Sequence, residues 1–166
     1  MQAEQFYHQI DVSKYTMVSL HIKNFTPLVW DQYYQIRKYI QSLIQSALLS
    51  NEMLFEKEDD FLIFLLHRNY IQWIHDLDDE IQKAYAFHFA CGINIIDIKD
   101  DFQTSLQKAN FALSNGHDHH KYTTTYEFYT KDLYEQRKKK EHLSHDLSYA
   151  FHQNCFQIFL RPKVDT

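Results

Sequence analysis

Glycine and proline are almost missing from this chain, with 2 of each in 166 residues. Loops that cradle phosphates need glycines where ligand and backbone approach closely. A lone Gly92 or Gly116 cannot build such a loop, so Walker and Rossmann readings are excluded. Cysteine is as scarce: Cys91 and Cys155 stand far apart without a CxxC pair. That points to buried or free thiols in a reducing compartment and away from a zinc site. No apolar run reaches transmembrane length, and no basic segment followed by an apolar one opens the chain. The expectation is a soluble, cytoplasmic protein, whole or cut from a longer or membrane-anchored one. The formal charge of −5 leaves no basic surplus for phosphate contacts, which argues against nucleic acid as a partner.

Apolar and aromatic residues are abundant: 45% of the chain is hydrophobic, with 13 Phe and 12 Tyr. A chain of this size and composition buries the core of one domain, with a short extension. Residues 1–14 are mixed and polar, and suit a short helix or a lead-in segment. Residues 15–23 alternate apolar and polar as a strand does. Pro27 can open a helix, and residues 28–49 keep helical spacing up to a stop at Ser50-Asn51. Residues 53–67 place two apolar segments around the charged knot 56–60, the pattern of a β-hairpin with an acidic tip. A second amphipathic helix spans 70–83 and carries the acidic run 76–80.

Residues 84–96 are dense in aromatic and β-branched side chains, suiting a strand buried on both faces. Asp100-Asp101 can cap a third helix over 102–115, with Asn115-Gly116 as its stop. Residues 122–129 form a last strand, 130–154 a polar helix, and 156–160 a short apolar strand. Strand, long helix, hairpin, helix, strand, helix, strand is an α+β plan with a largely antiparallel central sheet flanked by helices.

Four motifs fall on these elements in order. Lys57-Glu-Asp-Asp-Phe61 sits at the hairpin tip, and its context resembles the signature hairpin of GGDEF domains. Leu20-His-Ile-Lys-Asn-Phe25 resembles that family's first-strand motif, Leu-Asp-Ile-Asp-x-Phe. Ala90-Cys-Gly-Ile93 and Ala109-Asn-Phe-Ala-Leu113 resemble its Ser-x-Gly-[IV] strand and Ala-Asp-x-Ala-Leu helix. The resemblance covers residues 15–130 and implies the palm-like fold of nucleotide cyclases, in a domain that makes cyclic di-GMP from two GTP molecules. Further on, 143–165 resembles the opening helix and first strand of an EAL domain, with Ala150, Pro162, Lys163 and Val164 matching. The resemblance divides the chain into a lead-in (1–14), a GGDEF-like domain (15–130), and a linker helix with the start of an EAL-like domain (131–166).

The same resemblance implies a degenerate site. Of the five signature positions Lys57, Glu58, Asp59, Asp60 and Phe61, both glycine positions carry long side chains that would crowd a nucleotide. The family's metal-holding acids on the first strand fall on His21 and Lys23. Asp59 stands where the signature's metal-binding acid belongs, leaving His21 and Asp59 as a residual metal pair. Mg²⁺ prefers carboxylate and phosphate oxygens, so that pair would hold it weakly. The phosphate-binding turn reads Phe25-Thr26-Pro27, and Pro27 lacks an N–H. The two guanine readers fall on Val29 and Lys38. The helix-following Lys falls on His117, with Lys121 nearby, so Phe25, Thr26 and Lys121 form the residual nucleotide set. The inhibitory Arg-x-x-Asp positions fall on Leu48 to Asn51 and are not met.

Plainer readings stand beside these. Asp59 and Asp60 also suit a solvated turn, His117-Asp-His-His120 a polar surface loop, and His21 and His88 satisfied strand histidines. The run 76–80 suits an exposed helix face, and Arg137 to Lys140 a solvated linker helix. The expectation is therefore no catalysis and no obligatory cofactor, with room for weak Mg²⁺ or GTP binding. The expected role is regulation or scaffolding of an EAL domain in the same polypeptide, with a homodimer and a nucleotide as further candidate partners. A nucleotide sensor without turnover, or an interaction module that binds no nucleotide, are the alternatives.

Overall fold

The structure, a computed structural model, describes residues 2–23, 30–57, 60–117 and 123–152. The chain divides into two compact units, Met1–Tyr129 and Thr130–Thr166. In the first, the helices α1 (Ala3–Tyr7), α2 (Trp30–Ser46), α3 (Tyr70–Gln82) and α4 (Phe102–His117) accompany five strands. These are β1 (Tyr15–Lys23), β2 (Met53–Lys57), β3 (Asp60–Leu66), β4 (His88–Ile95) and β5 (Thr125–Phe128). The sheet order is β2-β3-β1-β4-β5. Its first three pairings are antiparallel; β4 and β5 are parallel, which requires the crossover that α4 supplies.

Strand alternation sorts side chains into two cores. Val18, Leu20 and Ile22 of β1 face Ile40 and Ile44 of α2 and Trp73, Ile74, Leu77 and Ile81 of α3. Met17, Leu62 and Phe64 face Phe6 and Tyr7 of α1 and Phe102 and Ala109 of α4. The sheet is thus a central layer with helices on both sides. Gly92 lets the second side close: a Cβ there would collide with the Ala109 carbonyl oxygen and the Leu113 backbone. Tyr7 ties α1 to that layer, donating to the Asp100 carbonyl at 2.8 Å.

Several element ends differ from the sequence expectation, each for a tertiary reason. Residues 3–7 are helical and bury Phe6 and Tyr7. α4 runs through Asn115-Gly116 to His117, and the Gly116 carbonyl accepts from the Thr125 hydroxyl at 3.0 Å. The β4 strand begins only at His88. Before it, Tyr85 and Phe87 stack on one another at 5.7 Å, and Tyr85 meets Tyr39 edge-on at 5.4 Å.

The second unit holds α5 (Lys131–His152), a helix whose described side chains are exposed or half-buried. The expected strand over 156–160 lies outside the described residues, as does Cys155. Among the described residues, no helix is long and apolar enough to cross a membrane.

Candidate functional site

The end of β1 and the tip of the β2–β3 hairpin are neighbours in the sheet. Register sets His21 opposite Asp60 on β3 and opposite Ala90 on β4, while Lys57 pairs with Asp60 across the hairpin. Residues two apart on a strand share a face, so Ser19, His21 and Lys23 all point to the α4 side. Ser19 confirms the direction, donating to Asn110 of α4 at 2.7 Å.

His21 and Asp60 form a direct pair, Nδ1 to Oδ1 at 2.6 Å, with side chains 33% and 40% exposed. A carboxylate partner on Nδ1 fixes the ring's orientation and favours the proton on that nitrogen. Lys23 is 3% exposed. Its ammonium donates to the Thr125 hydroxyl at 2.7 Å and the Thr123 carbonyl at 3.2 Å. Burial pulls its pKa below the usual lysine range, with a lesser opposing pull from Cys91. Because the Thr125 hydroxyl passes its own proton to Gly116, a chain of donors links β1, β5 and the last turn of α4.

Arg37 completes the group and was missed in the sequence. Its guanidinium lies 4.8 Å over the Phe61 ring, and it donates to Glu56 at 3.3 Å and to the Asp60 carbonyl at 3.4 Å. The available signal was spacing: Arg37 lies four residues after Tyr33 and three before Ile40, on the stripe that faces the core. A cation placed there needs partners, and the hairpin provides them. Asp78 was likewise hidden within an acidic run taken as a solvated face. It accepts from the Thr124 hydroxyl and lies 3.8 Å from His88.

Of the sequence-derived site, the structure brings His21 and Asp60 together and sets Lys57 and Phe61 beside them on the hairpin. Phe25, Thr26, Val29, Glu58, Asp59 and Lys121 lie outside the described residues. Mg²⁺ demands near-octahedral oxygen ligation. At this position the described residues offer one carboxylate engaged by an imidazole, with a buried ammonium on the same strand. They do not fit that ion. Among the described residues, no cluster of three or more His, Cys, Asp or Glu side chains could hold a metal.

No protein-family model matches the sequence, and no curated protein matches it. Solved structures do match its fold. The GGDEF domain of DgcB from Caulobacter crescentus, in complex with c-di-GMP, is similar with a TM-score of 0.64 at 10% identity. The match covers 74% of this chain and 84% of that one. The active GGEEF domain of a diguanylate cyclase from Vibrio cholerae gives 0.57 at 15% identity, over 77% and 92%. An EAL/GGDEF domain protein from M. capsulatus gives 0.56 at 16%, over 72% and 87%. With this strand order and helices on both sheet faces, the chain has the fold of GGDEF domains.

Proposed function

We propose that this chain is a non-catalytic GGDEF-fold module that regulates or scaffolds an EAL domain of the same polypeptide in cytoplasmic cyclic di-GMP signalling. One observation carries the reading: His21 is spent on Asp60 and Lys23 is buried on Thr125, where a cyclase would gather metal. Phosphoryl transfer between nucleotides relies on metal ions to neutralise developing charge and align the reactants. A positive side chain fixed in their place repels the ion and cannot bridge two phosphates. Arg37 adds to this by tying its charge to Glu56 and the hairpin backbone, so the polar groups of the cleft serve the fold.

The EAL partner is supported by the likeness of 143–165 to the opening of that domain, and by the M. capsulatus protein, which carries both domain names. The helix α5 covers the first part of that stretch. As the connector it would pass a change in one domain to the next, provided the two states differ in free energy.

Calorimetry with GTP and Mg²⁺, beside a product assay for cyclic di-GMP, tests the reading. The expected result is no product and no saturable heat. Saturable GTP binding without product would replace the scaffold by a nucleotide sensor, and product formation would overturn both.

A further inference from the structure

In α5 the positions 133, 136, 140, 143 and 147 alternate steps of three and four, the a/d seam of a heptad repeat. The residues there are Leu133, Gln136, Lys140, Leu143 and Leu147. Leu143 is 60% and Leu147 49% exposed, while the rest of the helix is dominated by charged and polar groups. Two exposed leucines one turn apart on a polar helix leave apolar area that nothing described covers. A helix of this length and polarity gains little stability alone, so its apolar stripe is where a partner would add most.

Charge selects among occupants. An anionic bilayer would favour Arg137 to Lys140, but Asp132, Glu135, Glu141 and Asp146 are spread along the same helix. A second copy in parallel suits both signs. In the register above Asp132 takes a g position and Arg137 the following e position, so each Asp132 meets the other copy's Arg137. Arg137 already bonds Glu141 at 3.2 Å within its own helix, which holds its side chain on that flank. Lys140 at an a position weakens the seam and disfavours higher oligomers and shifted registers, as a single buried polar residue does in two-stranded coils. Leu143 and Leu147 supply the apolar contact.

We propose that α5 is a self-association element, in which two copies of this chain pair in parallel through Leu133, Leu143 and Leu147 with Asp132–Arg137 bridges between copies. The pairing is independent of nucleotide chemistry, so its failure would leave the scaffold reading standing, and GTP turnover would leave the pairing standing.

Sedimentation equilibrium of the 166-residue chain over a concentration series reads it directly. The expected result is a reversible monomer–dimer equilibrium. The double variant Leu143→Glu/Leu147→Glu is expected to stay monomeric while its urea midpoint is unchanged. Arg137→Asp should weaken association at least tenfold, and Asp132→Arg combined with it should restore it. In a Cys155→Ser background, Leu143→Cys should form an inter-chain disulfide on oxidation, and Glu135→Cys, off the seam, should not. A wild-type monomer throughout, a dimer indifferent to Leu143→Glu/Leu147→Glu, or failure of the charge swap would overturn the proposal. So would flotation of the monomer with phosphatidylserine vesicles through the same leucines.

Discussion

At the scale of single residues, the side chains hardest to foresee are buried charges whose partners are distant in sequence. Glu52 has a fully buried side chain that accepts from the Leu49 and Leu66 N–H groups and from Arg68 at 2.7 Å. Arg68 in turn lies 5.5 Å over the Trp73 ring. The carboxylate therefore joins the end of the α2 connection to the far end of β3 and the start of α3. Removing one partner of such a pair strands the other charge and two backbone donors. Glu52→Ala is expected to cost about 3–5 kcal/mol, read as a lower urea midpoint with an unchanged slope. Glu52→Gln should recover part of that, since an amide oxygen still accepts. Composition and periodicity show Glu52 only as one more acid beside a hairpin. By contrast His21 and Lys23 were legible, because their departure from an acidic motif is local to one strand. Their actual partners, Asp60 and Thr125, were not, because register decides them.

At the scale of elements, local chemistry fixed the starts of helices better than their ends. Asn69 caps α3, its side chain accepting from the Gln72 N–H at 3.2 Å. Asp101 does the same for α4 through Thr104 at 2.7 Å. Such caps satisfy donors that the helix itself cannot. Asn69→Ala is expected to lower stability by about 1 kcal/mol, and Asn69→Asp to restore most of it, both by urea titration. The end of α4 obeys a different rule. Asn-Gly is a local stop signal, yet β5 delivers a hydroxyl to the Gly116 carbonyl and the helix continues. The onset of β4 was blurred for a related reason, since Tyr85 and Phe87 are aromatic enough for a strand but pack from an irregular segment. The hairpin was readable in full because charge at its tip and apolar runs on either side are both local.

At the scale of the whole molecule, stability depends on two cores sharing one sheet, and Cys91 reports on it. The thiol sits at the centre of β4, fully buried, between β1 and β5. Burial pushes its pKa up to about 12, with Asp78 adding to the rise and Lys23 opposing it. Attack on a disulfide reagent needs both thiolate and access. Neither is available unless the strands on both sides separate, which in a single sheet clamped by helices means opening most of the unit. In a Cys155→Ser background, the reaction of Cys91 with Ellman's reagent is expected to be at least about 10³-fold slower than in the urea-unfolded chain. Its dependence on urea should parallel the global unfolding curve, because the surface exposed to reach the thiol is nearly all the surface the unit buries. A rate insensitive to low urea would instead reveal β4–β5 parting from the sheet alone. That pair is the only parallel one among the described strands and is held at one end by Lys23 on Thr125. The Lys23→Met variant distinguishes the two routes: it should speed the local opening selectively, and leave the ratio of reaction rate to global unfolding unchanged if the sheet opens as a whole.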